Sequence, residues 1–221
     1  MSTALLKAKL ESEWGSPLFS FREKSEPQTI PTGIREVDAE CGGLPRGAIT
    51  EIAGPASSGR TTLLYSILAE ATARGEVCAL VDASDAFDPA SAAAAGADFN
   101  QLLWIRCALH KRTALPVTDL LLQSGCWGII ALDLGDIDPR DARRIPLNAW
   151  HRFRLAVENK PTAFIVLGQE PYAASCSALI LETNKSKVRW EGLLLNGVMY
   201  EAGRRKPPSH IAARFEAEAL R

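Results

Sequence analysis

Short apolar runs, each bounded by acids, glycines or prolines, alternate along this chain with stretches whose apolar residues recur at helical spacing. Ala48–Ala53, Val77–Asp82, Leu102–Cys107, Gly128–Asp133 and Ala163–Leu167 read as buried strands. Thr61–Ala73, Pro89–Ala95, Val117–Ser124 and Asp138–Asn159 read as helices, with Pro146 set to break or kink the last. Strands that take turns with helices predict βαβ units and a twisted, mostly parallel central sheet, flanked by helices and buried on both faces. The chain is therefore of the α/β class. Beyond residue 177 the pattern changes. Ala178–Glu182, Val188–Trp190 and Leu193–Glu201 are separated by polar or glycine-containing turns and read as antiparallel strands on one edge. Pro207, Pro208 and Ser209 then predict a final helix from about Ile211, capped by Ser209, with Ile211, Phe215 and Ala219 on one face. That stripe would cover the protein's own core or dock a partner.

At the other end, Thr3–Trp14 carries Leu5, Leu6, Ala8, Leu10 and Trp14 among charged neighbours, which predicts an amphipathic helix stopped at Gly15 and Pro17. Polar Glu23–Thr32 reads as a linker. The organisation expected is an N-terminal helix and linker arm over 1–31, a core over 32–203, and a helical tail over 204–221. The arm either folds onto its own core or docks on a neighbour, through Leu5, Leu10, Trp14, Leu18, Phe19 and Phe21.

A chain of 221 residues suits one large domain. A formal net charge of −1 excludes a protein that coats nucleic acid by bulk charge, though not a local basic face. Five scattered cysteines without a CxxC pair read as reduced thiols of a cytoplasmic protein. His110, His151 and His210 are too far apart for a zinc motif, and no run approaches membrane-span length. No metal site is expected except for Mg²⁺ arriving with a nucleotide.

The candidate chemistry sits where the first core strand meets its helix. Gly54-Pro55-Ala56-Ser57-Ser58-Gly59-Arg60-Thr61-Thr62 fits the phosphate-loop pattern G-x-x-x-x-G-K-[ST], with Arg60 where lysine is usual. Glycines let backbone N–H groups turn toward phosphate oxygens, and the helix N-terminus adds partial positive charge. Thr61 is the hydroxyl placed for Mg²⁺. Asp133, ending an apolar strand downstream, occupies the second Mg²⁺-coordinating position. Arginine keeps the positive charge, but its planar fork is not interchangeable with an ammonium at a tight phosphate site.

The run Gly42-Gly43-Leu44-Pro45-Arg46-Gly47, a strand, the loop, and then Val77–Pro89 in register resembles the RecA family over roughly Leu5 to Glu201. The resemblance implies a RecA-like fold, ATP and Mg²⁺ as ligands, and subunits that stack through an N-terminal arm. It also implies roles for particular positions. Ser84 stands where the family carries the glutamate that activates water, and a hydroxyl cannot act as that base near neutral pH. General-base help is worth ~10²–10⁴-fold. Ser91 stands where the family has an aromatic adenine contact. Gln169 matches the glutamine that relays nucleotide state to a DNA-binding loop, yet that loop and the one after Asp133 are both short. Arg140, Arg143, Arg144, Arg152 and Arg154 would either contact a nucleic-acid backbone or form a solvated helix face.

An altered ATP site with short DNA loops and no large C-terminal domain is most similar to the ImuA branch of RecA-like proteins. That likeness implies a non-catalytic or nearly inactive adaptor in DNA-damage-induced translesion synthesis. Its partners would be RecA, an ImuB-like Y-family polymerase homologue and an error-prone polymerase, with weak DNA binding and self-association also open. A DNA-stimulated, filament-forming ATPase and a SulA-like cell-division inhibitor are the competing expectations. Trp104, Trp127, Trp150 and Trp190 read as core or edge residues.

Overall fold

A computed structural model describes residues 28–107 and 111–218 of the chain. The predicted N-terminal helix and the first half of its linker lie outside the described residues, as do His110 and Ala219. The end of the segment read as linker is instead ordered into the core: Thr29–Ile30 form β1, paired with β2 (Leu44–Pro45), with Ile30 and Thr32 buried and helix α1 (Arg35–Cys41) between the two strands.

The core strands are β3 (Ala48–Ala53), β4 (Cys78–Asp82), β5 (Leu102–Arg106), β6 (Ile129–Asp133) and β7 (Ala163–Gly168). All pair in parallel. They belong to an eight-stranded sheet in the order β10-β9-β8-β3-β7-β6-β4-β5. Every residue of β4, β6 and β7 is buried, the signature of a sheet covered on both faces. Alternate residues feed two cores. Ile52, Leu80 and Ile165 pack under helix α2 (Arg60–Ala73) with Leu63, Leu64, Ile67 and Leu68. Ala79, Val81, Ile130, Phe164 and Val166 pack on the opposite face with Trp150 and Phe153.

Helix boundaries reflect local chemistry. Asp88 caps α3 (Pro89–Ala94) by accepting from the Ala90 and Ser91 N–H groups, with Pro89 at the first helical position. Asp138 and Pro139 repeat that arrangement at α5 (Pro139–Ala142). Pro146 does break the predicted long helix: α6 (Leu147–Val157) starts immediately after it. Helix α4 (Lys111–Ser124) differs from expectation, because it runs through Pro116 rather than starting after it. The missing N–H there forfeits one bond near the helix start, a smaller loss than in the helix middle.

The tail corrects the sequence reading twice. The segments predicted at 178–182 and 188–190 are one strand, β8 (Ser177–Glu191), which runs parallel to β3 and antiparallel to β9 (Leu194–Lys206). The predicted final helix is instead strand β10 (Ala212–Glu218), antiparallel to β9. Ala213 and Phe215 face the core while Arg214 and Glu216 face solvent. That period of two competes with the helical stripe, and the open backbone edge of β9 decides between them. Ser209 helps form the β9–β10 turn, its N–H donating to the Arg204 carbonyl and its Oγ accepting from the Ile211 N–H. Of the core and edge alternatives, Trp190 takes the second: it is 64% exposed near the tip of the β8–β9 hairpin, beside Leu193 at 96%. Trp150 is core, as expected.

One acid holds the short connection after β7 in place. Glu51, in the middle of β3, is buried and accepts from the N–H groups of Tyr172, Ala173 and Ala174 and from Ser177 Oγ. These four donors fix the turn that leads through Ala174–Cys176 into β8. Glu51→Ala leaves them buried without an acceptor and is expected to cost at least about 1–3 kcal/mol in urea unfolding. An unchanged unfolding midpoint would show that the turn does not depend on this carboxylate.

Candidate functional site: a phosphate loop with an arginine

β3 and α2 meet in the turn Gly54–Gly59, at the carboxyl end of the parallel strands, where open α/β sheets place their ligands. Two glycines there are required by their neighbours. The Gly54 N–H donates to the Gly168 carbonyl, and a Cβ at Gly54 would collide with the Thr183 carbonyl oxygen. Gly59 has φ +91°, and its Cβ would lie 2.6 Å from the Tyr200 ring. Ser58 is buried and shares a 2.8 Å hydrogen bond with the Thr183 hydroxyl. Ser57 is exposed, as is Thr61. Burial pushes the Tyr200 phenol above its ordinary pKa, against the opposing effect of Thr62. Thr183 and Tyr200 were not legible as site residues, since they come from strands more than 120 positions downstream.

Arg60 is only 6% exposed. Its Nη1 donates to the Gly135 carbonyl at 3.2 Å, while the Gly135 N–H donates to Asp133 Oδ1 at 2.8 Å. A methyl on Gly135 would sit 2.9 Å from Asp133 Oδ1 and 3.5 Å from Arg60 Nη2, so guanidinium and carboxylate crowd the same corner. Asp133 pairs in register with Asp82 on β4. Burial, aided by the charges of Asp82 and Asp136, pushes its pKa up to about 6 against the opposing effects of the Gly135 N–H and Arg60. Asp82 itself accepts from the Ala86 and Phe87 N–H groups and from Trp104 Nε1.

Ser84 lies just beyond β4, and its Oγ is buried without a hydrogen-bond partner among the described residues. Asp85 turns away at φ +61° and is held by both nitrogens of an Arg106 fork, at 2.6 and 2.7 Å. Arg106 holds the Asp85 carboxyl below its usual range. Ser91 donates to Asp88 and serves the cap of α3. Gln169 directly follows β7, half-buried, with its amide 3.4 Å from the Ile137 carbonyl.

The five arginines lie on and beside α5 and α6, partly or fully exposed. Three of them are engaged with acids: Arg143 with Glu170, Arg144 with Asp141 and Arg152 with Asp119. Such exposed pairs are weak, and salt or a polyanion competes with them.

The cradle fits the phosphate part of a nucleotide: a glycine-shaped turn opens a 14-residue helix whose first N–H groups have no intrahelical acceptor. The Mg²⁺ part fits poorly. A cation is already set beside Asp133, and Mg²⁺ demands near-ideal octahedral oxygen ligation. Among the described residues no cluster of His, Cys, Asp or Glu suits another metal, and no helix is long and apolar enough to cross a membrane.

A parallel sheet opening into such a loop defines a P-loop α/β protein of RecA-like fold. The RecA N-terminal domain model matches residues 8–141, and the chain belongs to the RecA family. It is 43% identical to RecA of Brucella anthropi over 110 residues, which are 49% of this chain and 30% of that protein. It is 34% identical to RecA of Chloroflexus aurantiacus over 158 residues, 64% of this chain and 45% of that protein. The chain thus spans less than half the length of these relatives. The crystal structure of the RadB recombinase superposes with a TM-score of 0.64 over 85% of this chain and 95% of that one, at 16% identity, a likeness of fold.

Because burial raises the Asp133 pKa above its ordinary 3.8, its ionisation disfavours the folded chain, and stability falls as pH rises from about 4 toward 6. Asp133→Asn is expected to match wild type near pH 4 and to be more stable above pH 6, by up to about 3 kcal/mol. Denaturant melts across that range test this; a constant difference would place the origin elsewhere.

Proposed function

We propose that the chain is an accessory protein of DNA-damage-induced translesion synthesis, working through protein contacts with an ATP site that does not turn over. The observation that carries this reading is the absence, among the described residues, of a poised base in the corner facing the loop. Ser84 fills the position of the family's glutamate with a partnerless hydroxyl, and Asp85, the nearest carboxylate in sequence, is clamped by Arg106. The connection after β7 is consistent with it. Where the RecA resemblance implies a DNA-binding loop, Glu51 holds a tight turn. In this role the chain contacts RecA, an ImuB-like polymerase homologue and an error-prone polymerase in the cytoplasm. Arg140 and Arg154, with the weakly paired Arg143, Arg144 and Arg152, supply a secondary DNA contact.

A second reading, a DNA-stimulated recombinase-type ATPase, is favoured by the retained cradle and by the cation at Arg60. ATP turnover with and without single-stranded DNA separates the two. The adaptor reading predicts background rates for wild type and for Arg60→Lys alone, since Ser84 still withholds general-base help worth ~10²–10⁴-fold. Pull-down of RecA or a polymerase homologue by the same preparation is the positive counterpart. Robust wild-type turnover would establish the enzyme.

A further inference from the structure

The corner between the phosphate loop and β6 holds a buried cation of its own. Arg60 reaches from the first turn of α2 to the Gly135 carbonyl, beside the Asp133 carboxylate, with 6% of its surface exposed. A guanidinium keeps its charge at any physiological pH and offers five N–H donors in a rigid plane. One is spent on Gly135; no other hydrogen bond from this guanidinium forms among the described residues. Mg²⁺ entering the same corner would sit close to a fixed positive charge in a poorly hydrated space.

We infer that Arg60 stands in place of the metal, so that this loop takes a nucleoside diphosphate or triphosphate as the free anion, independently of Mg²⁺. The inference deepens the reading of a non-hydrolysing site and rests on it. A polyphosphate held by a guanidinium and backbone N–H groups is bound, while the metal-bridged arrangement that promotes phosphoryl transfer is not assembled. The nucleotide then acts as a structural ligand. It draws the loop, α2 and the Tyr200 face of β9 together, because the Tyr200 ring packs on Gly59.

Isothermal calorimetry of ADP and ATP with the full chain, in magnesium and again in EDTA, tests this without any variant. The expected result is an affinity that changes less than about threefold between the two conditions. Arg60→Lys, which keeps charge but withdraws the planar fork, is expected to bind at least about tenfold tighter in magnesium than in EDTA, a difference near 1.4 kcal/mol. A wild-type affinity at least about tenfold higher in magnesium overturns the inference, and so does no binding in either condition by a chain whose circular dichroism shows it folded. Turnover measured on the same samples reports separately on the non-hydrolysing reading: hydrolysis in magnesium would sink that reading while leaving the metal comparison to stand or fall by the titration.

Discussion

The architecture of the site depends on a steric constraint: the phosphate loop has no spare volume on the side that faces β8 and β9. Thr183 presses on Gly54 and the Tyr200 ring on Gly59, each closer than a methyl group could tolerate. The loop is therefore shaped from two directions. β3 and α2 deliver it, and the C-terminal strands cover it. This ties the antiparallel tail to the phosphate loop physically, and the Ser58–Thr183 hydroxyl pair lies along the same seam.

Across the loop, the acids nearest the corner each have a partner. Three carboxylates lie near the corner. Asp133 accepts from a backbone N–H, Asp82 accepts from two N–H groups and an indole, and Asp85 is forked to Arg106. A general base needs a free lone pair within reach of its proton and a pKa suited to the task. Asp133 has the raised pKa, but it is buried beside Arg60, and Asp85 is held strongly ionised by its arginine.

The connection after β7 shows how a loop can be shortened without leaving orphan groups. A chain that reverses tightly at the end of a buried strand exposes several N–H groups to a dry interior, where each needs an acceptor. Glu51 supplies both oxygens to three consecutive N–H groups and one hydroxyl. An acid inside the apolar run Ala48–Ala53 was visible in the sequence as an anomaly, but its partners lie more than 120 residues away, so its purpose was not.

Features that depend on neighbours along the chain could be read before any contact was known, because local spacing and turn chemistry act within a few residues. Apolar runs and helical spacing placed β3 to β7 and most helices, Pro146 marked a break, and the glycine spacing from Gly54 to Gly59 announced the phosphate loop with Arg60 out of pattern. Features that depend on contacts between distant segments emerged only from the folded arrangement. The residues after Pro208 carry both a helical stripe and a two-residue alternation, and only the free edge of β9 made them a strand. Trp190 read as core or edge, and only the folded arrangement shows it exposed near the tip of the β8–β9 hairpin. The direction of Arg60 was equally hidden: a side chain at a helix start can point to solvent, phosphate or protein, and the Gly135 carbonyl beside Asp133 settled it.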